Sequence, residues 1–229
     1  MDGKESDMRR VLCFLFLITA LTLPVSVRAG EDADSVMARM QVKYRHLEAA
    51  SASYTRDVIT RSMSMMGMQT SGDLATGHLF FQFPHFIRME QEKPTHEILV
   101  SDGISLLWYV PDKKTLYQYP AEKFGRELSV FKDLFRGLDT AEKKFHTALM
   151  TPADPKDFLL KLTPDPPWDQ IDYLVVALSR TLDIKTLEIH NLLGSVTRFS
   201  LTDVKPTDPF QKDFFKLRVP DDTQIIREK

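Results

Sequence analysis

Cysteine is almost missing from this chain. Of 229 residues only Cys13 carries a thiol. It lies inside an apolar run from Val11 to Leu23, so a chain that loses this run has no disulfide, no thiol nucleophile and no cysteine-based metal site. Long apolar runs are equally scarce. The run at 11–23 is short of the roughly twenty residues a spanning helix needs, and no second run approaches that length. Neither charge sign is in excess, with 30 Lys and Arg against 32 Asp and Glu. That balance excludes the basic footprint of a nucleic-acid-binding protein and a polybasic segment for anionic lipid. Motifs of chemistry are missing too. There is no G-x-S-x-G elbow, no H-E-x-x-H pair and no phosphate-cradling Gly-Lys-Ser/Thr loop. The six histidines are scattered. His78 and His85 share a strand-turn region without a carboxylate cluster, and Asp221-Asp222 read as solvated turn residues. The expectation is a protein that is not an enzyme and carries no cofactor or metal.

The N-terminus is informative. Met8-Arg9-Arg10 precedes the apolar run, Pro24 breaks it, and Val27-Arg28-Ala29 offers small residues before Gly30. This is the pattern of a secretory signal peptide cleaved after residue 29. Its removal would take Lys4, Arg9, Arg10 and Arg28 with Asp2, Glu5 and Asp7, leaving a net charge of about −3. An exported domain without disulfides must be held together by burial. Residues 30–229 suffice for one all-β or α/β domain, and no linker or repeat divides them.

Residues 31–48 read as a helix, because Val36, Met40, Tyr44 and Leu47 fall on one face. Asp32, Asp34 and Ser35 suit its capped start. Strands follow at 51–59, 74–83, 86–91 and 96–101. In the second, Leu79, Phe81 and Phe83 share one face and His78, Phe80 and Gln82 the other. Asp102-Gly103 between apolar runs predicts a two-residue hairpin turn, pairing Ser101 with Ile104, Leu99 with Leu106 and Glu97 with Trp108. Leu99, Leu106 and Trp108 then look one way, Ile98, Val100, Leu107 and Tyr109 the other. With both faces apolar, this hairpin is expected to be covered on both sides. A strand at 115–119 comes next. Residues 123–138 predict an amphipathic helix, with Phe124, Leu128, Phe131, Leu134, Phe135 and Leu138 on its apolar face and Gly137 near its end. Further strands are expected at 145–149, 157–162, 173–179, 184–190, 196–204 and 214–219. Such a meander must hide its edges by curling or closing, and two helices over a curled sheet would enclose a concave face able to hold an apolar ligand.

The segment from Gly77 to Pro111, GHLFFQFPHFIRMEQEKPTHEILVSDGISLLWYVP, resembles the periplasmic lipoprotein carrier LolA family. The resemblance rests on Gly77, Leu79, Pro84, Phe86, Arg88, Pro94, the Leu99-Val100-Ser101-Asp102-Gly103 hairpin, Trp108, Tyr109 and Pro111. Tyr44-Arg45-x-Leu47, Ser53-Tyr54-Thr55 and the closing Phe215–Pro220 with Ile226 add to it. It implies an open, strongly bent antiparallel half-barrel of about eleven strands with an α-helical lid. It also implies a monomeric periplasmic carrier of acylated lipoproteins, loaded by an ATP-driven inner-membrane releasing complex and unloaded to an outer-membrane acceptor. A related carrier for another lipid or glycolipid is the alternative reading.

The resemblance assigns Ile87, Met89, Leu99, Leu106 and Trp108 to the wall of an acyl-chain cavity, against ordinary core packing. It makes Phe124, Leu128, Phe131 and Phe135 the underside of the lid, against a core helix that never moves. The family's Arg before the turn proline, which tethers the lid, is Phe83 here. Phe83 and Arg88 are therefore candidate lid contacts, with Arg88 or a polar group of the lid replacing the tether, or closure working differently. Met63, Met65, Met66 and Met68 crowd a hairpin tip, where they form either a cargo or partner contact or an incidental flexible turn.

Overall fold

A computed structural model describes residues 31–66, 74–120, 130–211 and 213–227. The expected signal segment lies outside them, as do Met68, Phe124 and Leu128. Residues 32–229 cluster as one compact unit.

The first helix, α1 (Ala33–Tyr44), starts where its capping residue allows. The Asp32 side chain accepts a hydrogen bond from the Ser35 amide at 2.8 Å, satisfying one orphan N–H of the first turn. Its apolar face fully buries Val36, Met37 and Met40, which contributes on the order of 5–9 kcal/mol of burial. Strands β1 (Ala49–Ile59), β2 (Leu74–Gln82), β3 (Phe86–Lys93), β4 (Glu97–Ser101), β5 (Ser105–Val110) and β6 (Thr115–Pro120) follow. A short helix α2 (Arg61–Met65) sits between β1 and β2. After α3, at residues 130–135, come β7 (Phe145–Met150), β8 (Asp157–Pro164), β9 (Ile171–Ser179), β10 (Ile184–Asn191), β11 (Val196–Thr207) and β12 (Gln224–Arg227).

All twelve strands lie in one sheet ordered β12-β6-β5-β4-β3-β2-β1-β11-β10-β9-β8-β7. Neighbours are antiparallel except β12, which runs parallel to β6. The sheet is open, with β12 at one edge and β7 at the other. It is also curled. Laid flat, β6 and β10 would be seven strand spacings, roughly 34 Å, apart, yet Tyr119 of β6 and Ile189 of β10 line one cavity.

Three expectations need correction. The hairpin after β4 is not a two-residue turn. Ser101 pairs with Leu106, Val100 with Leu107 and Leu99 with Trp108. Asp102 causes the longer loop, because its Oδ1 accepts from the amides of Ile104 and Ser105 at 2.9 and 2.7 Å, an Asx-type turn. The register moves by two residues, so Leu99, Leu106 and Trp108 still share a face.

The second correction concerns residues 214–219, which form no strand. They belong to an irregular segment laid on the outer face of β2 and β3. Phe214 meets Phe80 edge-on at 5.1 Å, and Phe215 lies 5.3 Å from Phe86. Backbone pairing resumes only at β12, the twelfth strand. The third is Phe83, which lies beyond the end of β2 and is 46% exposed rather than sharing a strand face with Leu79 and Phe81.

On the concave side, α1 covers the β7–β10 half. Lys43 Nζ donates to the Thr181 carbonyl at 2.8 Å, and Tyr44 Oη to the Leu182 carbonyl at 3.0 Å, fastening α1 to the β9–β10 turn. α3 packs against β2 and β11, where Phe135 stacks on Phe81 and Phe131 meets Phe199 edge-on.

Candidate apolar cavity

The alternation of β1 turns Ala50, Ala52, Tyr54 and Arg56 toward the concave side. At the Tyr54–Arg56 end of β1 the concave side opens into a cavity. This partly open cavity of about 250 Å³ is lined by Met89 and Gln91 of β3, Glu97 and Leu99 of β4, Leu106 and Trp108 of β5, and Tyr119 of β6. Tyr54, Arg56, Ile189 and Phe199 complete the opposite wall, and Phe131 of α3 contributes to the roof.

Aromatic packing sets the walls. Phe131 meets Phe199 edge-on at 5.0 Å, and Trp108 stacks on Tyr117 at 5.1 Å. The Trp108 indole donates from Nε1 to Glu97 Oε2 at 2.9 Å, and Thr95 donates to Glu97 Oε1 at 2.9 Å. Both carboxylate oxygens of the wall are thus engaged. Burial pushes the Tyr54 hydroxyl up to about 12, against the pull of the Arg56 cation and helped by the Glu97 and Glu92 charges. Arg56 stands apart from these satisfied groups. Its Nε is buried and has no hydrogen-bond partner among the described residues.

The helix α3 is fixed at its C-terminal end. The Leu138 amide donates to the Asp133 carbonyl at 2.7 Å and the Gly137 amide to the Leu134 carbonyl at 2.9 Å, the two bonds of a Schellman cap. Gly137 sits at φ +68°, and a Cβ there would lie 2.5 Å from the Met40 carbonyl oxygen of α1. Only glycine meets both demands. Asp133, with its side chain 5% exposed, is paired with Lys144 Nζ at 2.9 Å. The Arg136 guanidinium lies over the Phe83 ring, 4.3 Å from its centroid.

The residues singled out from the sequence divide. Met89, Leu99, Leu106 and Trp108 come together in the cavity wall. Ile87 does not reach it. It pairs with Phe81, which stacks on Phe135 at 5.4 Å, and is buried in packed core beneath α3. Phe135 is core for the same reason, whereas Phe131 faces the cavity. Phe83 contacts the end of α3 through Arg136. Arg88 does not face α3. It points to the outer face of β3, where Nη1 donates to the Phe214 carbonyl at 3.0 Å and Nε to Glu90 at 2.5 Å. Met65 and Met66 are 80% and 68% exposed at the β1–β2 tip. The sequence reading missed Tyr54, Arg56, Gln91, Glu97, Tyr119, Ile189 and Phe199. The two-residue period of β1 could have flagged Tyr54 and Arg56. Ile189 and Phe199 carry no local signal, since only the curl brings β10 and β11 over β4 and β5. Among the described residues, no group of three or more His, Cys, Asp or Glu could hold a metal ion.

An open curled sheet folded on an apolar hollow, with a helix for a roof, defines a half-barrel of the ligand-enclosing class. Residues 60–218 match the family model described as outer membrane lipoprotein carrier protein LolA. The chain belongs to that family and is a LolA-like carrier. It is 26% identical over 190 residues to the outer-membrane lipoprotein carrier protein of Francisella philomiragia, covering 81% of this chain and 85% of the relative. It is 24% identical over 221 residues to that of Methylobacillus flagellatus, covering 96% and 100%. Among solved structures, an uncharacterized conserved protein from Thermus thermophilus shares the fold at a TM-score of 0.54 and 12% identity, with 86% of this chain and 99% of that one covered.

Proposed function

We propose that this chain loses residues 1–29 on export, works in the periplasm as a single domain, and shelters the acyl chains of lipoproteins in transit. It receives them from an inner-membrane releasing complex and passes them to an outer-membrane acceptor. The observation that carries this reading is the apolar cavity between Leu99, Leu106 and Trp108 on one side and Phe131 and Phe199 on the other.

The physics supports the role. Each acyl CH₂ left in water costs about 0.8 kcal/mol, so one chain of ordinary length costs on the order of 10 kcal/mol and does not diffuse free. A cavity of about 250 Å³ lies below the usual range for ligand pockets, roughly 300–1,000 Å³. Cargo therefore requires α3 to lift. The fixed end at Gly137 serves as the hinge, and Phe131 is the part that rises. Phe131 is 2% exposed, so uncovering it costs about 1.5–3 kcal/mol. That cost is subtracted from the affinity for cargo, which keeps binding weak enough for onward transfer. The sequence has no phosphate loop of its own, so the direction of transfer is set by successively better binders.

The test is mass spectrometry of the protein purified from periplasm together with a depletion strain. Co-purifying triacylated lipoprotein, and lipoproteins held at the inner membrane on depletion, support the reading. A free lipid as sole ligand, with lipoprotein sorting intact, favours a carrier of another amphiphile.

A further inference from the structure

We infer that Arg56 gives the cavity, besides the esterified acyl chains of its cargo, a preference among single-chain amphiphiles for those ending in a carboxylate or a phosphate. This rests on the reading that the cavity takes hydrocarbon, and it adds where the polar end goes. Arg56 lies on the concave face of β1, opposite Phe199 of β11 and Ala75 of β2. It is a cation set among Tyr54, Leu99, Trp108 and Phe199. A guanidinium cannot shed its proton, so the charge persists whatever surrounds it. Burying its Nε without an acceptor forfeits the hydration of that group, and Nε is buried and unpartnered.

The one carboxylate in this wall is engaged by other donors. Glu97 spends both oxygens on Trp108 and Thr95. A ligand that fills the cavity brings an acceptor to Nε. The guanidinium presents planar, forked donors, which carboxylates and phosphates match with two oxygens and which a neutral ester or alcohol matches less strongly. A chain anchored this way runs from Arg56 along Leu99 and Leu106 toward Phe131.

The experiment uses the full chain and the fluorescent fatty acid cis-parinaric acid. The bound probe is displaced by palmitate, hexadecyl phosphate and hexadecanol, which share a chain length and differ in the head. The wild type is expected to release the probe at about tenfold lower concentration of either anion than of hexadecanol, the factor one charge-assisted hydrogen bond supplies. The order of palmitate and hexadecyl phosphate identifies the preferred head. Arg56→Gln should bring all three within about twofold of one another, and Arg56→Lys should keep part of the preference. The wild-type comparison stands even where a variant folds poorly. Equal displacement by hexadecanol in the wild type, or an anion preference that survives in Arg56→Gln, overturns the inference while probe binding leaves the cavity reading intact. Failure of the probe to bind at all overturns both.

Discussion

The Arg136 guanidinium, one residue past the end of α3, lies over the Phe83 ring at the end of β2, 4.3 Å from its centroid. The same guanidinium donates to Asp139 at 2.7 Å, so its position is fixed from two sides. Where the family resemblance implies an arginine before the turn proline, this chain has a ring there, just past β2, and a cation at the end of α3. At an exposed site such a contact is worth about 0.5–1 kcal/mol.

Removing either partner should loosen α3. Phe83→Ala and Arg136→Ala should each speed release of a bound fluorescent fatty acid by about two- to fivefold, and the double variant by no more than either alone. Stopped-flow release measures this. Phe83→Arg, which sets two guanidinium groups against each other, should release faster still. Unchanged release in all four variants means that the pair does not govern α3.

Gly137 is the least replaceable residue of the roof. Its φ of +68° and the 2.5 Å approach that a Cβ would make to Met40 O give Gly137→Ala both backbone strain and a clash against backbone. A loss of about 1–3 kcal/mol is expected, read as a lower urea midpoint. Restoring a left-handed-tolerant residue with Gly137→Asn should recover only part, because the Cβ remains.

Arg88 offers a contrast. Its guanidinium, with the side chain 14% exposed, ties the irregular segment around Phe214 to the outer face of β3. Arg88→Ala should cost about 1–3 kcal/mol and raise hydrogen exchange at residues 213–219. Probe affinity should stay the same, since the cavity lies on the opposite face. A change in probe release without faster exchange would return Arg88 to the lid.

The fastening of α1 depends on pH. Asp183 is held down to about 2, first by its hydrogen bond from Lys43 and then by that from Thr181. A carboxyl depressed in the folded state stabilises above its unfolded value, near 3.8, and loses that contribution as pH falls toward 2. With the side chain 59% exposed, screening keeps the effect within about 1 kcal/mol. Thermal midpoints should fall more steeply between pH 4 and pH 2 in the wild type than in Asp183→Asn.

Much of this architecture was legible because it is written in short-range pattern. The period of α1, the alternation of β2 and β3, and the Gly137 stop each depend on neighbours in sequence. The β4–β5 turn shows how local reading goes astray. Asp102 and Gly103 signal a tight turn, yet the Asp102 side chain capped two amides and lengthened the loop. Burial did not notice, because a shift of two keeps every face. Residues 214–219 misled for another reason. Their apolar content serves aromatic packing against Phe80 and Phe86, which has no strand period of its own. The cavity was half legible. The β3–β5 wall lies in one continuous stretch, whereas Ile189 and Phe199 join it only through the curl of the whole sheet.

If the hollow beneath α3 holds hydrocarbon, an acylated peptide and a fatty acid compete for it. Titration of a synthetic triacylated cysteinyl peptide against cis-parinaric acid bound to the wild type and to Leu99→Phe tests this most directly. Filling the hollow at Leu99 should leave the unfolding free energy from urea titration within about 1.5 kcal/mol of wild type and weaken the probe and the peptide together. Saturable binding in the wild type, mutual displacement, and a joint loss in the folded variant are the predicted result. A folded Leu99→Phe that binds both as tightly as the wild type, or a folded wild type that binds neither, would contradict the account.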